Sequence, residues 1–190
     1  MADLRHLLAA ALLGMFSPGA SAQYDDLACA TPPVKQVLAD FLIEYMQARY
    51  PAAPSEGQVL YISVRSQRMY YGVGGRMQAE YVISTARNGL GERKDSFRTP
   101  TGLHRVSRKI GQGVPAFGIF EGKHFTGGIA DEGTGTDDLI TSRILCLDGM
   151  EPGVNEGGEV DSRERGIYIH GTGDEASLGR PSSHGCIRMR

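Results

Sequence analysis

The first clear hydrophobic pattern is a helix-like repeat between Val34 and Arg49. Apolar side chains recur there at i, i+3, i+4 and i+7, the spacing that aligns them along one face of an α-helix. Pro32-Pro33 precedes the repeat and Pro51 follows it, and prolines suit the two boundaries of a helix. The pattern predicts one amphipathic helix of about four turns. Its expected buried face consists of Val34, Val37, Leu38, Phe41, Leu42, Tyr45 and Met46.

After the helix, the hydrophobic pattern changes to short runs rich in Val, Ile, Tyr and Phe that are bounded by glycine. Runs of this kind are typical of β-strands. The segment 72–75, Gly-Val-Gly-Gly, predicts a hairpin turn, and the segment 99–102, Thr-Pro-Thr-Gly, a tight turn. We therefore expect a mainly β fold, an antiparallel β sandwich or barrel-like domain with a short leading α-helix. The predicted strands are 58–64, 68–73, 80–85, 102–106, 117–120, 143–147 and 166–170.

Two longer segments without strand character separate these runs. Residues 127–138 and 148–165 are rich in glycine and acidic residues. Loops longer than about 12 residues in a small domain are usually functional lids or mobile segments. Their acidity suits an amine-bearing substrate, and a simple solvated surface loop explains each acidic residue equally well.

The amino-terminal segment predicts export. Arg5 precedes an apolar run from Leu7 to Phe16, and Ala20-Ser21-Ala22 fits a small-x-small cleavage site. The run covers about ten residues, whereas a membrane span needs about 20. We expect a signal peptide at 1–22, a periplasmic mature chain with no stable membrane anchor, and a helical segment with a linker at 23–56. A lipoprotein is not expected, because Cys29 stands apart from the apolar run and Asp26 lies three residues before it.

Composition limits the partners and the redox chemistry. The formal net charge is -2, which gives no global attraction to nucleic acid, and none is expected as a partner. The chain has three cysteines, at positions 29, 146 and 186, and an odd number in an exported protein leaves one thiol free or paired with another chain. Cys29 and Cys146 form one possible disulfide, and a small buried hydrophobic role for Cys146 is the alternative.

The strongest chemical signal is a cysteine near two histidines at the end of the chain. Cys186 follows His184 and Gly185, and His170 ends a predicted strand. A cysteine nucleophile needs an imidazole to take its proton and backbone donors for the developing oxyanion, and this segment contains both. His170 and Cys186 lie too far apart for one strand, so a turn must bring them together. The alternatives are an inert buried thiol, His184 as the base, and a metal site of His170, His184 and Cys186, whose spacing is not a standard zinc arrangement.

Together these residues resemble the L,D-transpeptidases with a YkuD-type catalytic domain, which remodel bacterial peptidoglycan. The match lies in His170-Gly171-Thr172, in the segment 183–188, Ser-His-Gly-Cys-Ile-Arg, and in Leu178-Gly179-Arg180-Pro181 before it. Supporting segments are 64–71, 96–102 and 109–111. The resemblance predicts a catalytic domain at 57–190. Members usually continue past the Arg-Met element, so we expect this chain to be truncated or a short variant at its carboxyl end.

The resemblance also implies roles for individual residues. Cys186 is the expected nucleophile, which attacks an amide between an L-centre and D-alanine, forms a thioester and releases D-alanine. His170 is the expected proton acceptor and donor, with its other ring nitrogen held by a carbonyl near Gly171 or Thr172. An amine of a neighbouring stem peptide then takes the acyl group. No cofactor and no metal is implied.

The remaining implied site residues surround the nucleophile. Backbone amides around His184, Gly185 and Cys186 are the expected oxyanion hole, and glycine at 185 permits a backbone shape that a side chain blocks. Ser183 and Arg188 occupy motif positions expected to shape the site and to hold polar or carboxylate groups.

Three functions therefore compete for this chain. The leading hypothesis is an exported transpeptidase acting on peptidoglycan stem peptides, with a stem-peptide amine or another protein's amine as the acceptor. The second is an L,D-carboxypeptidase or amidase-type hydrolase with the same nucleophile, in which water replaces the amine. The third is a non-catalytic peptidoglycan-binding module, for which Cys186 has to be dispensable.

Overall fold

The computed structural model describes residues 34–51, 57–131 and 138–190. The predicted signal peptide and Cys29 lie outside these residues. The chain forms one α-helix, nine β-strands and two short 3-10 helices, at Gly158–Val160 and Glu175–Ser177, within the described part. The helix and strands are α1 Val34–Arg49, β1 Gln58–Ser63, β2 Arg68–Val73, β3 Arg76–Ser84, β4 His104–Ile110, β5 Gly118–Glu121, β6 His124–Ile129, β7 Ile140–Gly149, β8 Tyr168–Gly171 and β9 Ile187–Met189.

The strands form one mixed sheet with the order β1-β2-β3-β9-β8-β7-β5-β6. The start of β7 pairs with β5 and the rest of it pairs with β4, which lies off the main path. All of these pairings are antiparallel except that of β8 with β9, which is parallel. The expected mainly β fold is confirmed. Within it the sheet is mixed and does not close into a barrel.

The seven predicted strands all lie on observed ones. Two observed strands were not among them: β9, and β6, which was hidden in a predicted loop. Strand β6 covers His124–Ile129, so the prediction of a loop from residue 127 is wrong over 127–129. This strand has the sequence His-Phe-Thr-Gly-Gly-Ile, and its two glycines weaken strand propensity. The antiparallel ladder with β5, in which Phe120 is paired with Phe125, explains why it forms. Tertiary pairing therefore overrides a weak local preference here.

The helix has the predicted bounds, but its buried face matches only part of the predicted stripe, including Leu42. Ala39 and Leu42 are buried, whereas Val37, Phe41 and Tyr45 from the predicted stripe are exposed, Phe41 to 61 %. Apolar side chains cover more than one face of this helix, so periodicity alone does not identify the packed one. Ile43 lies on the packed side of the helix. Its Cδ1 atom is 3.0 Å from the position that a Cβ on Gly75 would occupy in the β2–β3 turn.

Strand β8 contributes to apolar clusters on both faces of the sheet. Ile169 belongs to the first, with Met69, Ile83, Leu147, Ile167 and Ile187. Tyr168 packs against the second, which contains Phe120, Ile144 and Cys146. Cys146 is thus a buried core residue with a free thiol. Because side chains alternate along a strand, the residue two positions after Tyr168 lies on the same face as this second cluster.

The long segment at 148–165 is braced by polar side chains. Asn155 is completely buried and donates to the carbonyls of Thr101 and Leu103, at 2.8 and 3.1 Å, while its Oδ1 accepts from the amide of Glu151. Asp161 accepts from the amides of Gly157, Arg163 and Glu164, and these backbone hydrogen bonds lower the pKa of its carboxyl group. Strand β7 covers residues 148 and 149, so the loop prediction is wrong there. The rest of the segment is a folded part of the domain, and two residues separate its end from β8.

Across the three described stretches, no helix combines the length and the apolar composition that a bilayer crossing requires.

We expect Asn155→Ala to destabilise the domain by about 3 kcal/mol, because it leaves the Thr101 carbonyl and the Glu151 amide without their Asn155 partner and removes one of the two hydrogen bonds to the Leu103 carbonyl. Urea unfolding followed by circular dichroism measures this change. Asn88→Ala is the matched control, since Asn88 is exposed and makes one side-chain hydrogen bond of 3.4 Å; we expect a change below about 0.5 kcal/mol. Equal stability of the two variants would contradict the bracing role of Asn155.

Candidate active site

The parallel pairing of β8 with β9 brings the two ends of the candidate site together. Its register pairs Ile169 with Ile187 and His170 with Arg188. Cys186 directly precedes β9, and its Sγ atom accepts a hydrogen bond of 3.4 Å from the amide of Tyr168. Tyr168 and His170 lie on the same face of β8 because they are two residues apart. The imidazole therefore belongs to β8. The thiol lies at the entrance to the neighbouring strand β9 and is hydrogen-bonded to the amide of Tyr168.

The orientation of His170 follows from a bulge in the neighbouring strand. The pairing of β7 with β8 shifts between Thr141 and Ile144, and Ser142 has a φ of +61°. A Cβ on Gly171 would lie 2.7 Å from the carbonyl of Thr141, so only glycine fits opposite this bulge. The Gly171 carbonyl is 2.8 Å from Nδ1 of His170. Because a carbonyl only accepts, Nδ1 carries the hydrogen and Nε2 is the basic nitrogen.

The electrostatics of His170 suit a neutral base. The residue is buried, and this burial lowers its pKa, with Arg188 acting in the same direction. The hydrogen bond to Gly171 opposes the shift. At neutral pH the imidazole is therefore uncharged and able to accept a proton.

The thiol of Cys186 is also uncharged. Its Sγ donates to the carbonyl of Gly166 and accepts from the amide of Tyr168, both at 3.4 Å. Burial raises the pKa of this thiol to about 12. The negative charge of Asp138 acts in the same direction, whereas the Tyr168 amide and the positive charge of Arg165 oppose it. Cys186 and His170 thus form a neutral thiol and a neutral imidazole at rest.

The turn before Cys186 is held by Ser183. Its hydroxyl donates to the carbonyl of Cys186 at 2.6 Å and accepts from the amide of Gly185 at 3.2 Å. Gly185 has a φ of +141°, a conformation that favours glycine. The amide of His184 donates to Asp138 at 3.1 Å. Two of the three amides predicted for an oxyanion hole, those of His184 and Gly185, therefore already have partners within the protein.

His184 differs from His170 in both exposure and partners. Its side chain is 47 % exposed. Its Nδ1 lies 2.9 Å from Asp138, and its Nε2 contacts Nη2 of Arg87. Both ring nitrogens are thus occupied, whereas only Nδ1 of His170 is hydrogen-bonded to the described residues. This difference favours His170 over His184 as the base.

Arg188 lies beneath the site, with a side chain only 3 % exposed. Its guanidinium pairs with Asp138 at 3.2 Å and with Asp174 at 3.5 Å, and it also contacts the hydroxyls of Ser177 and Ser182. Its Nε is buried without a partner among the described residues. Arg188 thereby connects the segment between β8 and β9 to Asp138, which lies two residues before β7.

Two charged residues near the thiol were missed by the sequence analysis. Asp138 ends a predicted acidic loop, and that acidity was its only signal in the sequence. Arg165 ends the second predicted loop, and nothing in its local sequence distinguishes it from other surface arginines. Among the described residues, no three His, Cys, Asp or Glu side chains are arranged to hold a metal ion.

Comparison with known proteins gives a family match. The family model of the L,D-transpeptidase catalytic domain, YkuD, matches residues 57–190. No curated protein matches the chain. Several solved structures are similar to it. In each of the following three, the match spans less than two thirds of that protein's own length.

The first is an L,D-transpeptidase from Mycobacterium smegmatis, with 17 % identity, a TM-score of 0.38, and coverage of 70 % of this chain and 48 % of that one. L,D-transpeptidase 3 from Mycobacterium tuberculosis has 15 % identity, a TM-score of 0.37, and coverage of 70 % and 52 %. An L,D-transpeptidase from Xylanimonas cellulosilytica has 18 % identity, a TM-score of 0.32, and coverage of 76 % and 58 %. On the family match over residues 57–190, this chain belongs to the L,D-transpeptidase family with the YkuD-type catalytic domain.

Proposed function

We propose that this chain is a cysteine-dependent L,D-transpeptidase that acts on peptidoglycan stem peptides, with Cys186 as nucleophile and His170 as base. The observation that carries the proposal is the parallel pairing of β8 with β9, through which the Cys186 thiol contacts the strand that bears His170. Family membership supports an acyl-transfer reaction on peptidoglycan. Export to the periplasm through a signal peptide at 1–22 is part of the same proposal.

The acylation step starts from two neutral groups. Rotation of the Cys186 side chain breaks its hydrogen bond to Gly166 and turns the thiol hydrogen toward Nε2 of His170. The sulfur then attacks the carbonyl carbon of the L-centre amide while Nε2 takes the thiol proton. The tetrahedral oxyanion collapses, the C–N bond breaks, and His170 gives the proton to the departing amine of D-alanine. The product is a thioester on Cys186.

The second step returns the enzyme to its resting state. An amine on the acceptor attacks the thioester, His170 takes a proton from that amine, and the C–S bond breaks. The proton then returns to the sulfur. An acceptor from a neighbouring stem peptide gives a cross-link, an amine of a protein gives an attached protein, and water in the same place gives hydrolysis.

Incubation with muropeptides tests this function. We expect wild-type protein to gain on Cys186 the mass of the muropeptide donor less that of D-alanine, to release D-alanine, and to form a cross-linked dimer when an amine acceptor is present. Cys186→Ala removes the nucleophile, so no adduct and no product are expected. Cys146→Ala is the matched control, because it removes the second described thiol from the core and leaves the site intact. Intact-mass spectrometry and product chromatography measure both.

The outcomes separate the three functions. Cleaved monomer without dimer, at every acceptor concentration, would replace transpeptidation by hydrolysis. Muropeptide binding with no adduct on a folded wild-type protein would leave only a binding module.

The two histidines are distinguished by substitution. We expect His170→Gln to lower the acylation rate by about 1,000-fold, the magnitude typical of a lost general base. His184→Gln keeps amide groups near Asp138 and Arg87, so we expect a loss below about tenfold. Single-turnover acylation with a muropeptide donor measures both rates. A larger loss for His184→Gln than for His170→Gln would assign the base to His184.

The raised pKa of Cys186 predicts an unusual pH dependence of its reactivity. Only the thiolate is alkylated, and for a thiol with a pKa of about 12 its fraction grows about tenfold per pH unit through the neutral and mildly alkaline range. We expect the rate of alkylation of Cys186 by iodoacetamide to rise steadily from pH 7 to about pH 10. The rate for an ordinary cysteine, in contrast, levels off at about pH 9. The same chain unfolded in urea is the control. A plateau in the folded protein near pH 7 would instead indicate a preformed thiolate–imidazolium pair.

A further inference from the structure

Arg165 lies at the junction between the long segment 148–165 and strand β8. Its Nη1 donates to the carbonyls of Gly91 and Glu92, at 3.2 and 2.6 Å, and its Nη2 to the carbonyl of Arg98 at 2.7 Å. One guanidinium thus holds three carbonyls from one loop. The residue after it, Gly166, offers the carbonyl that accepts the thiol hydrogen of Cys186. The backbone and the side chain at this junction therefore serve two neighbouring parts of the site.

The loop that Arg165 holds also lines the turn before the nucleophile. A Cβ on Gly185 would lie 3.5 Å from the carbonyl of Arg98. The next residue, Thr99, donates its hydroxyl to the carbonyl of Gly185 at 2.9 Å. The carbonyl oxygen of Gly166 thus contacts the thiol, and the carbonyls of Arg98 and Gly185 lie at the turn before Cys186. Such a cluster of partial negative charge disfavours an anion, and the guanidinium of Arg165 compensates it.

The two charges that act on the thiol have opposite signs and come from different segments of the chain. Asp138, two residues before β7, disfavours the thiolate, and Arg165 favours it. His170 faces the same region from β8 and is neutral at pH 8, since burial lowers its pKa. Arg165 is thus the cation that acts on Cys186 among the described residues, and Asp138 is the anion.

We propose that Arg165 is a positioning residue with an electrostatic role: it fixes the loop 91–98 against the turn before Cys186 and supplies the positive charge that stabilises the developing thiolate. The inference depends on the proposed function only in taking Cys186 as the reactive thiol.

Alkylation of the full chain by iodoacetamide at pH 8, quantified on the Cys186 peptide by mass spectrometry, tests this role without any peptidoglycan substrate. Arg165→Met removes both the charge and the hydrogen bonds. Arg165→Gln keeps amide donors without charge, and Arg165→Lys keeps the charge with fewer well-placed donors. Arg163→Met is the matched control, since it changes the net charge equally and Arg163 is exposed, with its ion pair to Asp148 at 3.9 Å.

The expected result is a rate about tenfold lower for Arg165→Met and Arg165→Gln, which corresponds to about one pKa unit. The alkylation rate of Arg165→Lys should stay within about threefold of the wild-type rate, and that of Arg163→Met should equal the wild-type rate. A merely structural role predicts the opposite sign, because a loosened loop exposes the thiol and speeds alkylation. Wild-type or faster alkylation of a folded Arg165→Gln variant, or equal slowing by Gln and Lys, would overturn the proposal.

Two further measurements, of folding and of muropeptide turnover, complete the test. Circular dichroism identifies a variant that does not fold, and if Arg165→Met is such a variant, the comparison of Gln with Lys carries the decision. A failed muropeptide assay together with Arg165-dependent alkylation would reject the proposed function alone. Muropeptide turnover with Arg165-independent alkylation would reject this inference alone.

Discussion

The parallel pairing of β8 with β9 is the contact on which the candidate site depends. Parallel neighbours require a long connection, and here the residues between Gly171 and Ile187 supply it. That connection contains a 3-10 helix and the turn braced by Ser183, so the chain returns to the sheet with Cys186 at the strand entrance. Ile169 and Ile187 pack in the same core cluster and fix the register. A shift of one residue would turn the side chains of β9 to the other face and separate the thiol from His170.

A resting site of two neutral groups follows from this burial. The sheet that fixes the thiol also partly buries it, and the loss of hydration raises the pKa of Cys186 to about 12 and lowers the pKa of His170. The two shifts act together against a thiolate–imidazolium pair. In the proposed reaction, proton transfer is therefore coupled to attack on the substrate carbonyl, and the scarcity of the thiolate protects the thiol from oxidation between turnovers.

Much of this arrangement was predictable from the sequence, and the exceptions have physical causes. The bounds of α1 and the seven strand-like runs follow from local periodicity. The segment from Ser183 to Arg188 indicates a candidate cysteine nucleophile by its residue types alone. Strand β6 was missed because its formation depends on pairing with β5 rather than on its own glycine-containing sequence. The buried face of α1 depends on the shape of the sheet below it. Arg165 was missed because three carbonyls brought close only by the fold define its environment.

The charges around the thiol form a linked set, and Asp138 is their common member. Its carboxylate pairs with the buried Arg188 and also accepts from the amide and the ring of His184. Removal of Asp138 would leave the buried Arg188 with Asp174 as its one remaining carboxylate partner among the described residues, at 3.5 Å, and leaving a buried charge poorly compensated is costly. The fold therefore retains an anion whose field disfavours the thiolate. A compensating cation resolves this conflict without weakening the structure, and Arg165 supplies that charge because its carbonyl partners hold it in place.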